Sequence, residues 1–454
     1  MENGGIRELL ADAASRGSHY IDELHARDVG PLPGSIERLI NALDGSLPEG
    51  PSKPAEIIAF LDEYGSPATV ASAGGRYFGF VTGGALPVTV ATQYLAAAWD
   101  QNCFSFISSP AVACFETTAL RWVKEAFGLP ASVEGALVTG ATMANFTCLA
   151  AARNWVLGQH GWDVDQQGLF GAPALTAFVG EEAHASLYKV LSMLGLGRDR
   201  VRRVAVGGQG RMRSGRLPPI EGPAIVCIQA GNVNSGAFDP ADQVIVWAQR
   251  SNAWVHVDGA FGLWALASVD HAPLAQGFRK ANSWATDAHK WLNVPYDSGI
   301  AIVRDPEALG RAMSISGSYL PTSEYRDAMN FTPDSSRRAR AVEIWSALKF
   351  LGRVGLSDLV GRNCRYARKI ADSMKRDGIE VLNEVVLNQV VVAFGDDERT
   401  KRVIASTQAS GACWCGGTVW KGRAAMRISV SSWATTDDDI ERSIMAILEA
   451  HRAA

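Results

Sequence analysis

Lys290 is the residue whose type and setting point most directly to covalent chemistry. It lies in Asn282-Ser-Trp-Ala-Thr-Asp-Ala-His-Lys-Trp-Leu-Asn-Val-Pro-Tyr-Asp-Ser-Gly299, where a strand over 283–286 runs into a polar turn presenting His289 and Lys290. A lysine is rarely buried without a partner or a task. One such task is to form a Schiff base with a carbonyl cofactor in a closed site. A His-Lys pair on its own is more often plain surface, but three stretches upstream change the balance. In Glu134-Gly-Ala-Leu-Val-Thr-Gly-Ala-Thr-Met-Ala-Asn-Phe a buried strand turns through Thr139-Gly140-Ala141-Thr142 into a helix. Small residues there let an anion approach the free N–H groups of the first helical turn, where the dipole favours it and the Thr142 hydroxyl can donate. Taken alone, the turn reads more readily as a simple helix cap by Thr142. The turn fits neither the G-x-G-x-x-G nor the P-loop pattern, so neither a dinucleotide nor ATP is indicated. A second strand, 175–179, ends at Gly180-Glu-Glu-Ala-His184, placing His184 where open α/β sheets keep their ligands, with a cap or core role as the alternative. A third, Ala253-Trp-Val-His-Val-Asp258, terminates on an acid that is costly to bury without a cation. Strand, helix (240–249), strand at this spacing predicts right-handed parallel crossovers, with Asp258 and Lys290 on one edge of one sheet.

The rest of the chain must position that edge. With 454 residues it can bury a large core and form more than one folding unit. A net charge of −4 gives no reason to expect nucleic acid or an anionic membrane as partner. Seven cysteines at irregular spacing suggest buried thiols in a reducing compartment rather than a disulfide framework. No basic, then apolar leader and no run of 18 apolar residues is present, so a cytoplasmic protein without signal peptide or membrane span is expected. Neither H-E-x-x-H nor C-x-x-C occurs, and no metal is expected. Residues 1–60 carry two apolar stripes at helical spacing, Ile6, Leu9, Leu10, Ala13 and Ile36, Leu39, Ile40, Leu43. Such an arm cannot form a core alone, so it should lie on the rest of the molecule or on a second subunit. The segment Gly74-Gly-Arg-Tyr-Phe-Gly-Phe-Val-Thr-Gly-Gly84 reads as an irregular loop approaching a ligand or as close core packing. Helices are expected over 87–100 and 110–127. After 311 comes a polar loop, 314–333, of a length usual for functional lids. Helices over 337–351, 356–377, 400–410 and 437–451 then alternate with strands over 390–394 and 423–430 as a separate α+β unit.

These motifs together resemble the group II pyridoxal-phosphate-dependent amino acid decarboxylases. The likeness rests on Val138-Thr-Gly-Ala-Thr-Met-Ala-Asn145, the strand end bearing His184, Val257-Asp-Gly-Ala260, His289-Lys-Trp291 and Arg427-Ile-Ser429. It implies an α/β protein of the aspartate aminotransferase fold type (fold type I of the PLP-dependent transferases). A mostly parallel central sheet flanked by helices would occupy a large PLP-binding domain, 61–310. A helical arm, 1–60, would precede it, and 311–454 would hold a mobile loop and a smaller α+β domain. By the same resemblance Lys290 is the Schiff-base lysine, Ala141 and Thr142 hold the phosphate with His289 beside it, and Asp258 pairs with the pyridinium nitrogen. His184 stacks on the ring and Ala260 packs beneath it. Tyr319, in the long loop, is the proton donor after CO2 leaves. Arg427 meets the substrate α-carboxylate or makes an interdomain salt bridge. Two positions depart from the family: Asp287, where many members have Asn, is a poor neighbour for a phosphate because both are anionic, and Val233 stands where a cofactor-contacting Thr is common, leaving Asn232 or Asn234 to substitute. The expected activity is decarboxylation of an L-amino acid, aromatic or apolar given Tyr77, Phe78, Phe80 and Trp433, in a homodimer. Transamination, carbon–carbon cleavage and a catalytically silent PLP-binding protein are the alternatives.

Overall fold

The computed structural model describes residues 3–315 and 324–454. Counting helices of seven residues or more, the arm contributes α1 (Asn3–Glu23), α2 (Ser35–Leu43) and α3 (Pro54–Phe60). Ile6, Leu10, Ile36, Ile40 and Leu43 remain exposed while Leu9, Ala13 and Leu39 are half-buried, so the described residues cover the two apolar stripes only in part. Next come α4 (Pro87–Trp99) and α5 (Pro110–Phe127), each with proline at the first helical position, where its missing N–H costs nothing. Gly128, with φ of 63°, ends α5 in the left-handed conformation that glycine adopts most cheaply.

The central unit then alternates: β1 (Glu134–Val138), α6 (Ala141–Gly158), β2 (Thr176–Gly180), α7 (Ala185–Met193), β3 (Arg202–Val204), β4 (Ala224–Gln229), α8 (Ala241–Gln249), β5 (Trp254–Asp258), β6 (Ser283–Asp287), β7 (Gly299–Val303) and α9 (Pro306–Met313). Its seven strands lie in the order β1-β7-β6-β5-β4-β2-β3, with β2 to β6 parallel and β7 antiparallel to both β1 and β6. The reversed β7 makes β1 run with β6, so the turn after β1 opens on the same edge as the ends of β5 and β6. Strands β4 to β7 are buried along their whole length, as strands covered on both faces are, even where β5 and β6 carry polar residues. Trp264, Trp284, Trp291 and Phe278 fill one face of the sheet, and Cys148, Leu149, Leu187, Val190 and Leu191 fill the other.

One buried polar group ties the strands together. His256 on β5 pairs through Nε2 with the Asn145 Oδ1 of α6 and through Nδ1 with the Ser283 hydroxyl of β6, each at 2.8 Å. A carbonyl oxygen only accepts, so Nε2 carries the proton. Burial pushes His256 down to about 3, leaving the ring neutral. A single imidazole thus couples the three elements that carry Ala141, Asp258 and Lys290.

The C-terminal elements are α10 (Arg340–Arg376), β8 (Glu380–Val381), β9 (Gln389–Ala393), α11 (Asp397–Ala409), β10 (Gly416–Trp420), β11 (Arg423–Ser429) and α12 (Asp437–Ala453). Their sheet is antiparallel, in the order β10-β11-β9-β8. The two helices expected over 337–351 and 356–377 are both present within α10, meeting at a kink where Gly352, with φ of 57°, is non-helical. Helix α12 opens with a capping box between Thr436 and Asp439 and three acids in its first turn.

In the glycine-rich loop, close packing accounts for Gly79 and Gly83. A Cβ on Gly79 would fall 2.2 Å from the Trp414 ring, and one on Gly83 would fall 1.6 Å from the Lys290 carbonyl oxygen. That carbonyl belongs to a turn held by Asn293. Its backbone oxygen accepts from Leu86 N at 2.8 Å, its Nδ2 donates to Ser431 O at 3.1 Å, and its Oδ1 accepts from Trp433 N at 2.8 Å. Trp433 is fully engaged there, since its Nε1 also donates to Ala85 O. Gly83→Ala should therefore lower the denaturant midpoint by an overpacking cost of about 1–3 kcal/mol. Gly158→Ala, where a Cβ meets nothing within 4 Å, should be neutral or stabilising in the same unfolding measurement.

Candidate active site

A cleft of about 440 Å³ opens where β1, β2, β4, β5 and β6 end, and Phe80, Ala141, Thr142, His184, Asp258, Ala260, His289, Lys290 and Arg427 all line it. Tyr319 lies outside the described residues. Each of the others arrives by a different route. The parallel strands β5 and β6 end on Asp258 and Asp287. Gly140 joins β1 to α6, and a Cβ added there would come within 3.1 Å of His289 Cε1 and 3.4 Å of Asp287 Oδ1, so this hollow depends on the missing side chain.

Asp258 is a buried carboxylate with no ion pair among the described residues. Loss of solvent raises its pKa, an effect opposed by His184 when that ring is protonated, by the Lys290 charge and by the Ala260 N–H. His184 reaches the surface through the mouth of the cleft and also caps α7: its Nδ1 accepts from Ser186 N at 3.2 Å and faces the Ser186 hydroxyl at 2.7 Å. One ring thus both caps a helix and lines the cleft. Surrounding protein lowers its pKa by desolvation, and an accepting Nδ1 places the proton of the neutral ring on Nε2. His289 is likewise lowered by burial. Its Nδ1 accepts from Ser298 N at 3.0 Å and its Nε2 stands 3.4 Å from Asp287 Oδ1.

Lys290 Nζ is paired with Asp287 Oδ2 at 2.9 Å, while Asp287 Oδ1 accepts from the Ala141 amide at 2.5 Å. The carboxylate thus seats itself on the first N–H of α6. Thr142, beside it, has no hydrogen-bond partner for its hydroxyl among the described residues. Arg427, on β11, donates from Nη1 to Val233 O at 3.2 Å and faces no carboxylate among the described residues, so the salt-bridge alternative does not apply. Desolvation lowers its pKa. Neither Asn232 nor Asn234 replaces the side chain missing at Val233. Asn232 Oδ1 closes its own turn by accepting from Asn234 N and Ser235 N, and Asn234 Oδ1 accepts from the Thr418 hydroxyl. Phe78 is buried away from the cleft, in the core of the C-terminal sheet. Sequence reading missed Gln229, at the end of β4, although a strand end on that edge was a usable signal. It also missed Trp414, whose ring stacks on Tyr77 at 5.0 Å and leans on Phe80 at 5.4 Å, and for which no local pattern gave a signal.

Seen as a receptor, the cleft suits a flat cationic ring bearing an aldehyde and an anion. It offers an unpaired acid, a lysine, and free donors at a glycine-cleared helix start. Residues 39–394 match the family described as the pyridoxal-dependent decarboxylase conserved domain. The chain belongs to that family. An aromatic-L-amino-acid decarboxylase of Bacillus atrophaeus is 24% identical over 94% of this chain and 92% of its own. An acidic amino acid decarboxylase of Bos taurus is 30% identical over 68% of this chain, which spans about three fifths (61%) of that longer relative. In fold, the chain matches the crystal structure of Oryza sativa TDC with PLP and tryptamine at a TM-score of 0.90, with 22% identity and 100% and 99% of the two chains covered. Mouse CSAD matches at 0.89, with 21% identity and 99% of each chain covered. The pyridoxal-dependent decarboxylases use pyridoxal phosphate, and this chain is a carboxy-lyase of that class.

Burying Asp258 unpaired should cost stability when the cofactor is removed. A carboxyl whose folded pKa is raised contributes most below the unfolded value of 3.8, and that contribution is lost as pH rises through the folded value. Cofactor-free Asp258→Asn should therefore melt above the cofactor-free wild type at pH 8, by on the order of a few degrees. The gap should narrow toward pH 4 in thermal denaturation followed across that range.

Proposed function

We propose that this decarboxylase removes the α-carboxylate of an L-amino acid with an aromatic or apolar side chain, releasing the amine and CO2. The observation that carries the substrate class is the charge inventory of the cleft. Lys290 and Arg427 are its only lysine or arginine side chains among the described residues. Burial holds His184 and His289 below their ordinary range, so they are neutral near pH 7. With Lys290 given to the cofactor and Arg427 to the α-carboxylate, no cation is left for a side-chain acid. Phe80, backed by Trp414 and Tyr77, offers aromatic surface instead. The Bacillus relative, matched along nearly its whole length, is an aromatic-L-amino-acid decarboxylase.

Bound in the cleft, pyridoxal phosphate supplies an electron sink for the pair left behind when the carboxylate departs. Asp258 would keep a proton on the ring nitrogen, because a carboxylate in a dry site favours the cation beside it. Lys290 Nζ would hold the cofactor at its aldehyde carbon. The Ala141 amide and Thr142 hydroxyl would donate to the phosphate, with His289 beside them. His184 and Ala260 would enclose the ring from its two faces, excluding water. Arg427 would orient the carboxylate that leaves, and Tyr319 would supply the proton that takes its place on the carbon.

The same reading includes a homodimer in the cytoplasm. The partly uncovered stripes of α1 and α2 support the former, and seven unpaired cysteines, six of them buried, support the latter. Among the described residues no helix is long and apolar enough to cross a membrane. We also propose an arm over 1–60, a large unit over 61–310 and a small unit over 311–454, a division supported by the end of the seven-stranded sheet at Val303 and the start of the second at Glu380.

Stoichiometric CO2 release across an amino-acid panel tests the substrate: phenylalanine, tyrosine or tryptophan should be turned over at least ten times faster than aspartate, glutamate or cysteine sulfinate. Faster turnover of the acids would show that Arg427 serves the side chain. Lys290→Ala should lose roughly 10⁴-fold or more in rate, and borohydride should fix cofactor to position 290 of the wild type alone. Conversion of the cofactor to its amine form with no gas released would replace decarboxylation by transamination.

A further inference from the structure

The Asp287 carboxylate occupies the start of α6, the seat that the proposed function gives to the cofactor phosphate. One oxygen takes the Ala141 amide at the start of α6 at 2.5 Å, the other takes Lys290 Nζ at 2.9 Å, and His289 Nε2 lies 3.4 Å from the first. The residue is buried, and its backbone is fixed by strand pairing to Gly299 and by its N–H donating to Ala260 O at 2.9 Å. Gly299 in turn has no room to yield, since a Cβ there would lie 2.4 Å from Gly140 Cα. The carboxylate therefore can swing only about its own side-chain torsions, and it stays within the same small hollow.

We propose that Asp287 is a built-in stand-in for the phosphate. In the cofactor-free chain it fills the anion seat and neutralises Lys290. On loading, the phosphate must displace it from the Ala141 amide while the two negative charges remain close neighbours. Unlike charges a few ångströms apart in a partly desolvated site attract strongly, and like charges repel as strongly. The chain thereby binds the phosphate end of its cofactor more weakly than the same cleft would with a neutral residue at 287. Binding rests comparatively more on Lys290, Asp258 and the ring. This deepens the cofactor assignment of the cleft and rests on it.

The test compares two probes in one protein, pyridoxal phosphate and pyridoxal, which differ only in the phosphate. Dissociation constants are measured by visible-absorbance titration of the cofactor-free full-length chain, wild type and Asp287→Asn. Any effect of the substitution on Lys290 basicity or on folding acts on both probes and cancels in the ratio Kd(pyridoxal)/Kd(pyridoxal phosphate). That ratio should rise at least fivefold in Asp287→Asn. A smaller rise, no change or a fall overturns the proposal. Asp287→Ser is titrated in parallel and held to the same threshold, so that failure of one variant to fold leaves the outcome decided by the other. A wild type that binds both probes, with a ratio that does not move on substitution, removes the stand-in role alone. A wild type that binds neither removes the assignment of the cleft as well.

Discussion

The cleft depends on a neutral imidazole. His256 is buried between β5, β6 and α6, and its two ring nitrogens bond to the side chains of Ser283 and Asn145. An unpaired polar group at that depth would cost about 1–3 kcal/mol, so the fully bonded ring strongly favours one relative placement of the three elements. That placement sets Asp258 at the end of one strand and Lys290 just past the end of the next. It also brings the free N–H groups of α6 to the same edge. The reversed strand β7 contributes by filling the gap between β1 and β6, which lets Gly140 meet Gly299 in backbone contact.

Charge in the cleft is balanced with little to spare. Two carboxylates, Asp258 and Asp287, face two cations, Lys290 and Arg427. Only Asp287 and Lys290 form an ion pair. Asp258 and Arg427 are each held in surroundings that disfavour their charged forms, and each lacks a counter-ion among the described residues. A folded protein tolerates such groups where a ligand of opposite charge completes them, which is the physical content of calling this a receptor for a cationic ring and an anionic substrate.

Much of this was legible in the sequence because strand ends are legible. Short apolar runs that stop on Asp258, on Gly180 before His184, and on the turn before Lys290 fixed both the edge and its occupants. Gly128 fixed the end of α5 for a similarly local reason. What could not be read came from contacts without local signature. Trp414 meets Phe80 only because the C-terminal sheet docks beside the glycine-rich loop. Asn232 looked available for a ligand, yet an asparagine two residues before an N–H readily closes its own turn. The kink at Gly352, by contrast, was readable, since the apolar period lapses there and separate helices were expected on its two sides. Asp287 was visible as a departure from its family, but its grip on both Ala141 and Lys290 required the fold.

Asn293 has a consequence for how the two sheets can evolve. Its backbone and side chain knit the turn after Lys290 to Leu86 on one side and to Ser431 and Trp433, just beyond β11, on the other. Arg427 lies on that same strand. The spacing between the lysine and the guanidinium is thus governed by main-chain bonds to an asparagine that lies outside the cleft lining. Residues such as Phe80 and Val233 can consequently be exchanged, and a new side chain accommodated, without disturbing the distance between those two cations.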